Sequence, residues 1–347
     1  MATIRDVAKE ANVSVATVSY VLNKNKNVSQ ELTDNVLKAV DKLDYKYNAI
    51  ASSLRNNRTK TVGVVLQNIR NVFFVHLLAG LEEYINANNY RLIFFDTGYD
   101  INKERECIST LRSMRVEGVI LYSCVGAKEK NEYIQFLVKQ LTENEIPTVL
   151  LDRDACGKLG SVLIENERGG YEATKHLIDF GRRNILHISG IEDWENSLAR
   201  QQGYTNAMRS HDLEDHIIIH SGRFQPVRGY EITRSLIEKG IKLDGIFAAN
   251  DQMAIGAMKA ILEFGIKIPD DIGVIGYDNL FFTTFVDPAL STMNVPTHSI
   301  GRTAAEMLIN IIENSDSAEK SAIFNTNLIV RQSTDVRAER GWVLYGW

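Results

Sequence analysis

Cysteine is scarce in this chain, and long apolar runs are absent. Cys107, Cys124 and Cys156 are the only cysteines in 347 residues. Their spacing makes neither a disulfide framework nor a metal cluster, and so few suit a reducing compartment. No stretch approaches the ~20 consecutive apolar residues that a membrane-crossing helix needs. Arg5, Asp6, Lys9 and Glu10 interrupt the N-terminus, so no secretory leader is expected and the location expected is cytoplasmic. Catalytic signatures are missing too: there is no Gly-x-Ser-x-Gly elbow, phosphate loop or Gly-x-Gly-x-x-Gly fingerprint. His216 and His220 flank a strand-like run with His211 nearby, but i and i+4 on a strand lie too far apart for a common metal. Asp152 and Asp278 could be imagined as acid and base, yet no nucleophile accompanies them. The chain reads as a binding protein, with no enzymatic activity, metal or cofactor expected.

What is present divides unevenly. Residues 1–60 hold ten Lys/Arg and six Asp/Glu, a balance of +4; the remaining 29 and 38 leave −9. A basic head on an acidic body can approach a polyanion with the head only. Within the head, Thr3 and Asp6 make a box-like cap before Ile4, Val7, Ala8 and Ala11, which recur at helical spacing. Asn12-Val13-Ser14 breaks that helix and Ser14 caps the next, whose inner face is Val18, Val21 and Leu22. A Lys/Asn loop follows at 23–27. Ser29 then caps a third helix with Leu32, Val36, Ala39, Val40 and Leu43 on one side. Three short helices with a tight turn between the first two describe either a DNA-reading helix-turn-helix or a small bundle that only packs. In the first case Val15, Ala16, Thr17, Ser19 and Tyr20 face outward. Arg5, Lys24 and Lys26, with side chains such as Thr3 and Asn23, then supply phosphate donors.

From residue 61 the rhythm alternates. Short apolar strands at 61–69, 91–96, 118–123, 147–152, 161–164, 184–190, 216–220, 245–250 and 271–278 are separated by amphipathic helices at 75–88, 103–114, 131–143, 169–180, 199–209, 228–239 and 252–264. Such βα units specify parallel sheets covered by helices. Their number asks for two doubly wound lobes, changing over near 158–164, with a helix at 298–313 and a strand near 322–330 shared back. Ligands sit beyond the carboxyl ends of such strands. The residues there are Phe73, Phe74, Asp96, Asp152, Arg153, Gly190, Asn250, Asp251 and Asp278. Carboxylates and amides beside aromatic rings suit a polyol, while the plainer reading is that Asp and Asn at these ends cap the following helices.

The stretch TIRDVAKEANVSVATVSYVLN, residues 3–23, resembles the N-terminal signature of the LacI/GalR family of bacterial transcription repressors. The likeness continues through VSQELTDNVLKAVDKLDYKYNAIASSLRNNRTKTVGVV and returns in ARQQGY (199–204) and FAANDQMAIGAMKAILEFGIKIPDDIGVIGYDN. Asn48, Ala51 and Leu54 match the family pattern; Asp44 stands where glycine is usual and Tyr47 where proline is usual. The resemblance implies an all-α helix-turn-helix head at 1–47 and a hinge helix and linker at 48–60. It implies a periplasmic-binding-protein-like body at 61–340, with one lobe of about 61–160 plus 294–321 and another of about 161–293 plus 322–340. Periplasmic sugar-binding proteins share this body but lack the head.

It also implies roles. Residues 48–56 would order on operator DNA, with Leu54 as a minor-groove wedge and Arg55 following it, while Val15, Ala16 and Tyr20 read the major groove. Tyr20 stands where Arg or His is frequent in the family, so a different operator is expected. Arg200, Asn250 and Asp278 would hold a small-molecule effector, expected to be a sugar. Phe73, Phe74, Trp194, Asn196 and Phe224 occupy variable pocket positions, and Asp152-Arg153 is similar to an Asp-Arg of sugar-responsive members. Glu165 replaces a common Asp. The partners expected are pseudo-palindromic double-stranded operator DNA, the effector and a second copy of the chain, with no membrane. The tail has no leucine heptads, so the assembly expected is a dimer. A second reading is a catabolite-control-type regulator that takes a phosphorylated carrier protein as co-repressor. Arg302 suits that partner and Glu306 does not.

Overall fold

Thr3 begins the first helix as its spacing to Asp6 requires. In the computed structural model, which describes residues 2–22, 28–45, 58–313 and 320–341, the Thr3 hydroxyl accepts from the Asp6 amide at 3.4 Å. The Asp6 carboxylate accepts from the Thr3 amide at 2.8 Å. Helix α1 (Ile4–Glu10) ends in a turn where Asn12 takes φ = 53°. Ser14 then caps α2 (Val15–Leu22) through the Thr17 amide at 3.0 Å. Ser29 caps α3 (Gln30–Lys42) through the Leu32 amide at 3.4 Å. Val7, Ala8, Val18, Val21, Val36 and Ala39 bury one another. Leu32, in line with Val36 by spacing, is 38% exposed instead. This unit, Met1–Thr59, is compact in itself, as is Lys60–Trp347.

The end of α3 explains the unusual Asp44. Tyr45 donates its amide to the Val40 carbonyl at 2.9 Å, which forces Asp44 to φ = 43°. That closure favours glycine, the one residue without a Cβ penalty in the left-handed region. Asp44→Gly is expected to stabilise the head by about 0.5 kcal/mol, net of glycine's greater unfolded-state entropy. Hydrogen exchange of the α3 amides should slow about two-fold.

In the body, β1 (Thr61–Leu66), β2 (Arg91–Asp96), β3 (Gly118–Leu121), β4 (Thr148–Leu151), β5 (Gly160–Ile164) and β11 (Ser321–Phe324) form one parallel sheet, ordered β11-β5-β4-β3-β1-β2. Its connections carry α4 (Phe73–Ala87), α5 (Ile101–Ser113) and α6 (Lys130–Gln140). The second sheet is ordered β12-β10-β9-β8-β6-β7. It is built from β6 (Ile185–Ser189), β7 (Ile218–Ser221), β8 (Gly245–Ala248), β9 (Gly273–Asp278), β10 (Ser291–Asn294) and β12 (Asn327–Ile329). Among the described residues only the β10–β12 pair is antiparallel. Helices α7 (Asn166–Asp179), α8 (Glu195–Ser210), α9 (Pro226–Glu238) and α10 (Asp251–Glu263) cover it, and α11 (Thr297–Glu313) returns to the first lobe. Strands β3, β4 and β8 are buried along their whole length, as covering on both faces demands.

The chain passes between lobes three times: after β5, after β10 and after β11. This corrects the lobe boundaries expected above. Residues 161–164 pair with β4 and belong to the first sheet; 322–324 pair with β5 and belong there too. A short apolar run announces a strand but carries nothing about which sheet receives it. Strand β10 was not expected at all, because Ser291 and Thr292 are polar. They are buried against partners distant in sequence: Thr292 donates to Asp251 and Ser291 donates to the Arg331 carbonyl.

One packing contact governs the second lobe. Where α7 crosses α8, a Cβ on Gly203 would lie 2.0 Å from the Glu167 carbonyl oxygen, and one on Gly170 would lie 2.3 Å from that of Arg200. The two backbones touch there, and Arg200 is fixed one turn from the crossing.

Candidate functional site: a helix-turn-helix head and a two-lobed cleft

Of the head residues expected to meet DNA, Thr3, Arg5, Ala16 and Tyr20 are exposed, Tyr20 at 52%. Ala16 and Tyr20 are one turn apart and share a face of α2. Ser19 is half-buried. Val15 and Thr17 are half-buried. Val15 packs against the head's core, because Cβ vectors tilt towards a helix N-terminus and the first residue of α2 leans over the turn. The Thr17 and Ser14 hydroxyls share a hydrogen bond at 2.9 Å. Asn23, Lys26, Asn48, Ala51, Leu54 and Arg55 lie outside the described residues, as does the hinge at 48–56.

The body brings the carboxyl ends of both sheets together. Tyr122, beyond β3, donates to Asp152 Oδ2 at 2.8 Å, and Asn166 Nδ2 donates to Asp152 Oδ1 at 2.8 Å. Arg200 Nε donates to Asn166 Oδ1 at 2.9 Å, so one chain of hydrogen bonds joins the lobes. The Arg200 guanidinium also donates to the Ala249 carbonyl, lies 3.7 Å over the Tyr277 ring and stands 3.7 Å from Asp278 Oδ1. Asp278 Oδ1 accepts no hydrogen bond although the residue is 4% exposed. Asn196 Nδ2 donates to the Tyr122 hydroxyl at 3.4 Å. Phe73 and Phe74 meet Tyr122 edge-on, and Trp194 contacts Tyr99 and Phe224.

Strain gathers at the same place. Asp152, Arg223, Phe224, Asp278 and Asn279 all have positive φ, between 52° and 111°. Each such residue costs roughly 1–3 kcal/mol and persists where surrounding structure enforces it, typically at ligand clamps. Gln67, Asn71 and Tyr99 join the expected residues around Arg200 and Asp278, and the space they leave is about 20 Å³. The lobes are shut.

Asn250, Asp251 and Arg153 also make bonds within the protein. Asn250 caps α10 by accepting from the Met253 amide at 2.9 Å, and Asp251 accepts from the Leu280 amide at 2.8 Å. Arg153 turns to the rim, where NH2 donates to the Val125 carbonyl at 2.8 Å. Missed in the sequence were Gln67, Tyr122 and Asn166. The first two sit directly beyond β1 and β3, so the strand-end rule could have found them.

Comparison with known proteins now decides the family. The model described as "Bacterial regulatory proteins, lacI family" matches residues 3–48, and "Periplasmic binding protein-like domain" matches 174–334. The chain is 34% identical to the HTH-type transcriptional repressor PurR of Vibrio atlanticus (strain LGP32), over 96% of this chain and 98% of that one. It is 33% identical to the Ribose operon repressor of Halalkalibacterium halodurans, over 96% and 97%. The crystal structure of a LacI family transcriptional regulator from Enterococcus faecium with bound ribose superposes with a TM-score of 0.71. That match has 28% identity and covers 79% of this chain and 98% of that one. The chain belongs to the LacI family.

This LacI-family protein is a DNA-binding transcriptional repressor, and its relatives are regulators and not enzymes. No helix among its described residues is long and apolar enough to cross a membrane. In its cleft, burial pushes Asp152 up to about 6, with Arg200 opposing the shift. Burial likewise pushes Asp278 up to about 7; Arg200 again opposes and Asp152 adds. Burial works against the Arg200 cation, yet Tyr277, Asp278 and Asp152 outweigh it and raise its pKa. One guanidinium therefore serves two carboxylates, and the second carboxylate holds a proton readily.

The sign of the linkage follows. A carboxyl whose pKa is higher folded than unfolded keeps a proton that the unfolded chain releases, so its contribution to stability falls as pH rises from about 4 to about 7. Asp278→Asn removes one such contribution. The variant should gain on the native chain by a few kcal/mol across that window. Urea melts at pH 4.5, 6 and 7.5 check this; a constant difference would contradict it.

Proposed function

We propose that this repressor acts in the cytoplasm as a homodimer whose operator affinity is set by a sugar held between the lobes. The observation that carries the reading is the convergence of Arg200, Asp152 and Asp278 at the carboxyl ends of two facing sheets, among Phe73, Phe74, Tyr122, Trp194 and Phe224. Carboxylates accept hydroxyl hydrogens, the guanidinium donates to hydroxyl oxygens, and rings cover C–H faces. The name of one relative, a ribose operon repressor, and the ribose bound in one solved neighbour support a sugar.

Exposed apolar side chains support pairing of the bodies. Val75 on α4 is 47% exposed, and Phe94 on the edge strand β2 is 44% exposed. Two heads would then address two half-sites, with residues 48–56 ordering on the duplex and Leu54 entering a base step. Separating the lobes to admit the sugar changes the spacing of the first lobes and so the cost of ordering the hinge. Couplings of this kind are about 1–3 kcal/mol. The reading with a phosphorylated carrier is disfavoured, because Arg302 already donates to Glu83 at 2.7 Å and His298 lies 3.1 Å from that carboxylate.

The test is operator selection from random duplexes, then fluorescence anisotropy with pentoses, hexoses, disaccharides and purines. A sugar should shift operator affinity ten-fold or more. Leu54→Ala should weaken operator binding at least ten-fold and leave the sugar Kd within two-fold by calorimetry. Equal loss of both would overturn the division of labour.

A further inference from the structure

At the rim of the cleft the two lobes are joined by charge. Glu195 opens α8 in the second lobe and reaches into the first. Its Oε1 lies 2.7 Å from Lys130 Nζ and its Oε2 lies 3.2 Å from Arg153 NH1. Arg153 is 6% exposed, and Lys130 and Glu195 are 20% and 27% exposed. Two residues before Glu195, the Asp193 carbonyl accepts from the Ala127 amide at 2.6 Å. The Asp193 carboxylate fills the space beside Gly126, where a Cβ would lie 2.1 Å from its Oδ2. Lobe closure here is a built contact that uses neither Arg200 nor Asp278.

We propose that Lys130, Glu195 and Arg153 form a latch across the two lobes, so that separating them to admit a sugar requires the latch to break. The role assigned to the sugar rests on the function proposed above; the latch itself does not. Three arguments carry it. One carboxylate serves two cations in a partly buried setting, where salt screens less than at an open surface. Opening the lobes would take Glu195 from a deeply buried guanidinium, and an unpaired buried charge is the costly case. The space around Arg200 and Asp278, about 20 Å³, holds a single water and no sugar. The latch residues also line a crevice of about 590 Å³, together with Asp152, Asn166 and Asn196. Five acids, Asp152, Asp154, Glu165, Glu167 and Glu195, line it against three cations, Lys130, Arg153 and Arg168, so acid is in excess there and an incoming anion would not displace Glu195 easily.

The test uses the full-length chain with Cys156→Ser and spin labels at Glu143→Cys and Lys242→Cys, one exposed site on each lobe, diluted with unlabelled chain. Without any sugar, the parent should give mainly the short inter-lobe distance. Glu195→Gln should lower the closed-to-open ratio roughly ten-fold, and Lys130→Met, cutting the latch from the other lobe, should do the same in smaller measure. Raising NaCl from 0.05 to 0.5 M should open the parent far less than the Glu195→Gln change does, because the partly buried pairs are weakly screened. With D-ribose as probe, tryptophan fluorescence should report faster association in Glu195→Gln. Identical distance distributions in the parent and Glu195→Gln would overturn the latch. Distances that shift as stated while no sugar alters either protein would uphold the latch and defeat the sugar reading.

Discussion

Replacing Arg200 with methionine is expected to lower the unfolding free energy by about 3–5 kcal/mol and to abolish effector binding. Methionine keeps much of the length and apolar stem, so the loss is one of charge and hydrogen bonds. The guanidinium is the cation that opposes the raised pKa values of both Asp152 and Asp278. Without it, each carboxyl must be protonated or stay buried without its counter-charge. Asn166 Oδ1 and the Ala249 carbonyl lose their donor as well. Urea melts read the stability and calorimetry reads the effector. Combining Arg200→Met with Asp278→Asn should cost less than the sum of the two, since the second change removes a group the first left unpaired. A melt within 1 kcal/mol of the native chain would mean that the pairing contributes little.

Gly203→Ala should do comparable damage through a single methyl group. The atoms nearest the new Cβ are backbone: the Glu167 carbonyl oxygen at 2.0 Å and the Tyr171 amide nitrogen at 2.5 Å. No rotamer change relieves that contact, so α7 and α8 must separate. Overpacking of this kind costs about 3 kcal/mol. Arg200 precedes Gly203 by one turn, so the displaced helix carries the guanidinium away from Asn166 and Asp278. Effector affinity should fall at least ten-fold even in molecules that remain folded. Leu198→Ala, an exposed position on the same helix, should change neither quantity. A native melting temperature for Gly203→Ala would refute the crossing as drawn.

These two residues illustrate what the sequence discloses. Arg200 was recognised within ARQQGY, and the caps of Thr3, Ser14 and Ser29 were legible because partner and cap lie three residues apart. Strand ends pointed to Asp152 and Asp278 because parallel sheets expose ligands at one edge only. Information that depends on distant partners was not legible. Ser291 and Thr292 look unlike a strand until Asp251 and Arg331 are beside them. The runs 161–164 and 322–330 read as strands, but their sheet is decided by neighbours. Tyr99 enters the cleft from a turn at φ = 70°, and Lys130 meets Glu195 across 65 residues; neither has a local signal. Asn250 is the converse case: the plain capping role was the correct weight for its oxygen.

The threefold passage of the chain between lobes bears on how the protein is made. Strands β11 and β12, one for each sheet, leave the ribosome after every other strand among the described residues. Both lobes therefore wait for the same late segment, whereas the DNA-reading head is complete near the beginning of synthesis. A ribosome stalled before Ser321 would release a chain that has the three head helices but lacks one strand from each sheet of the body.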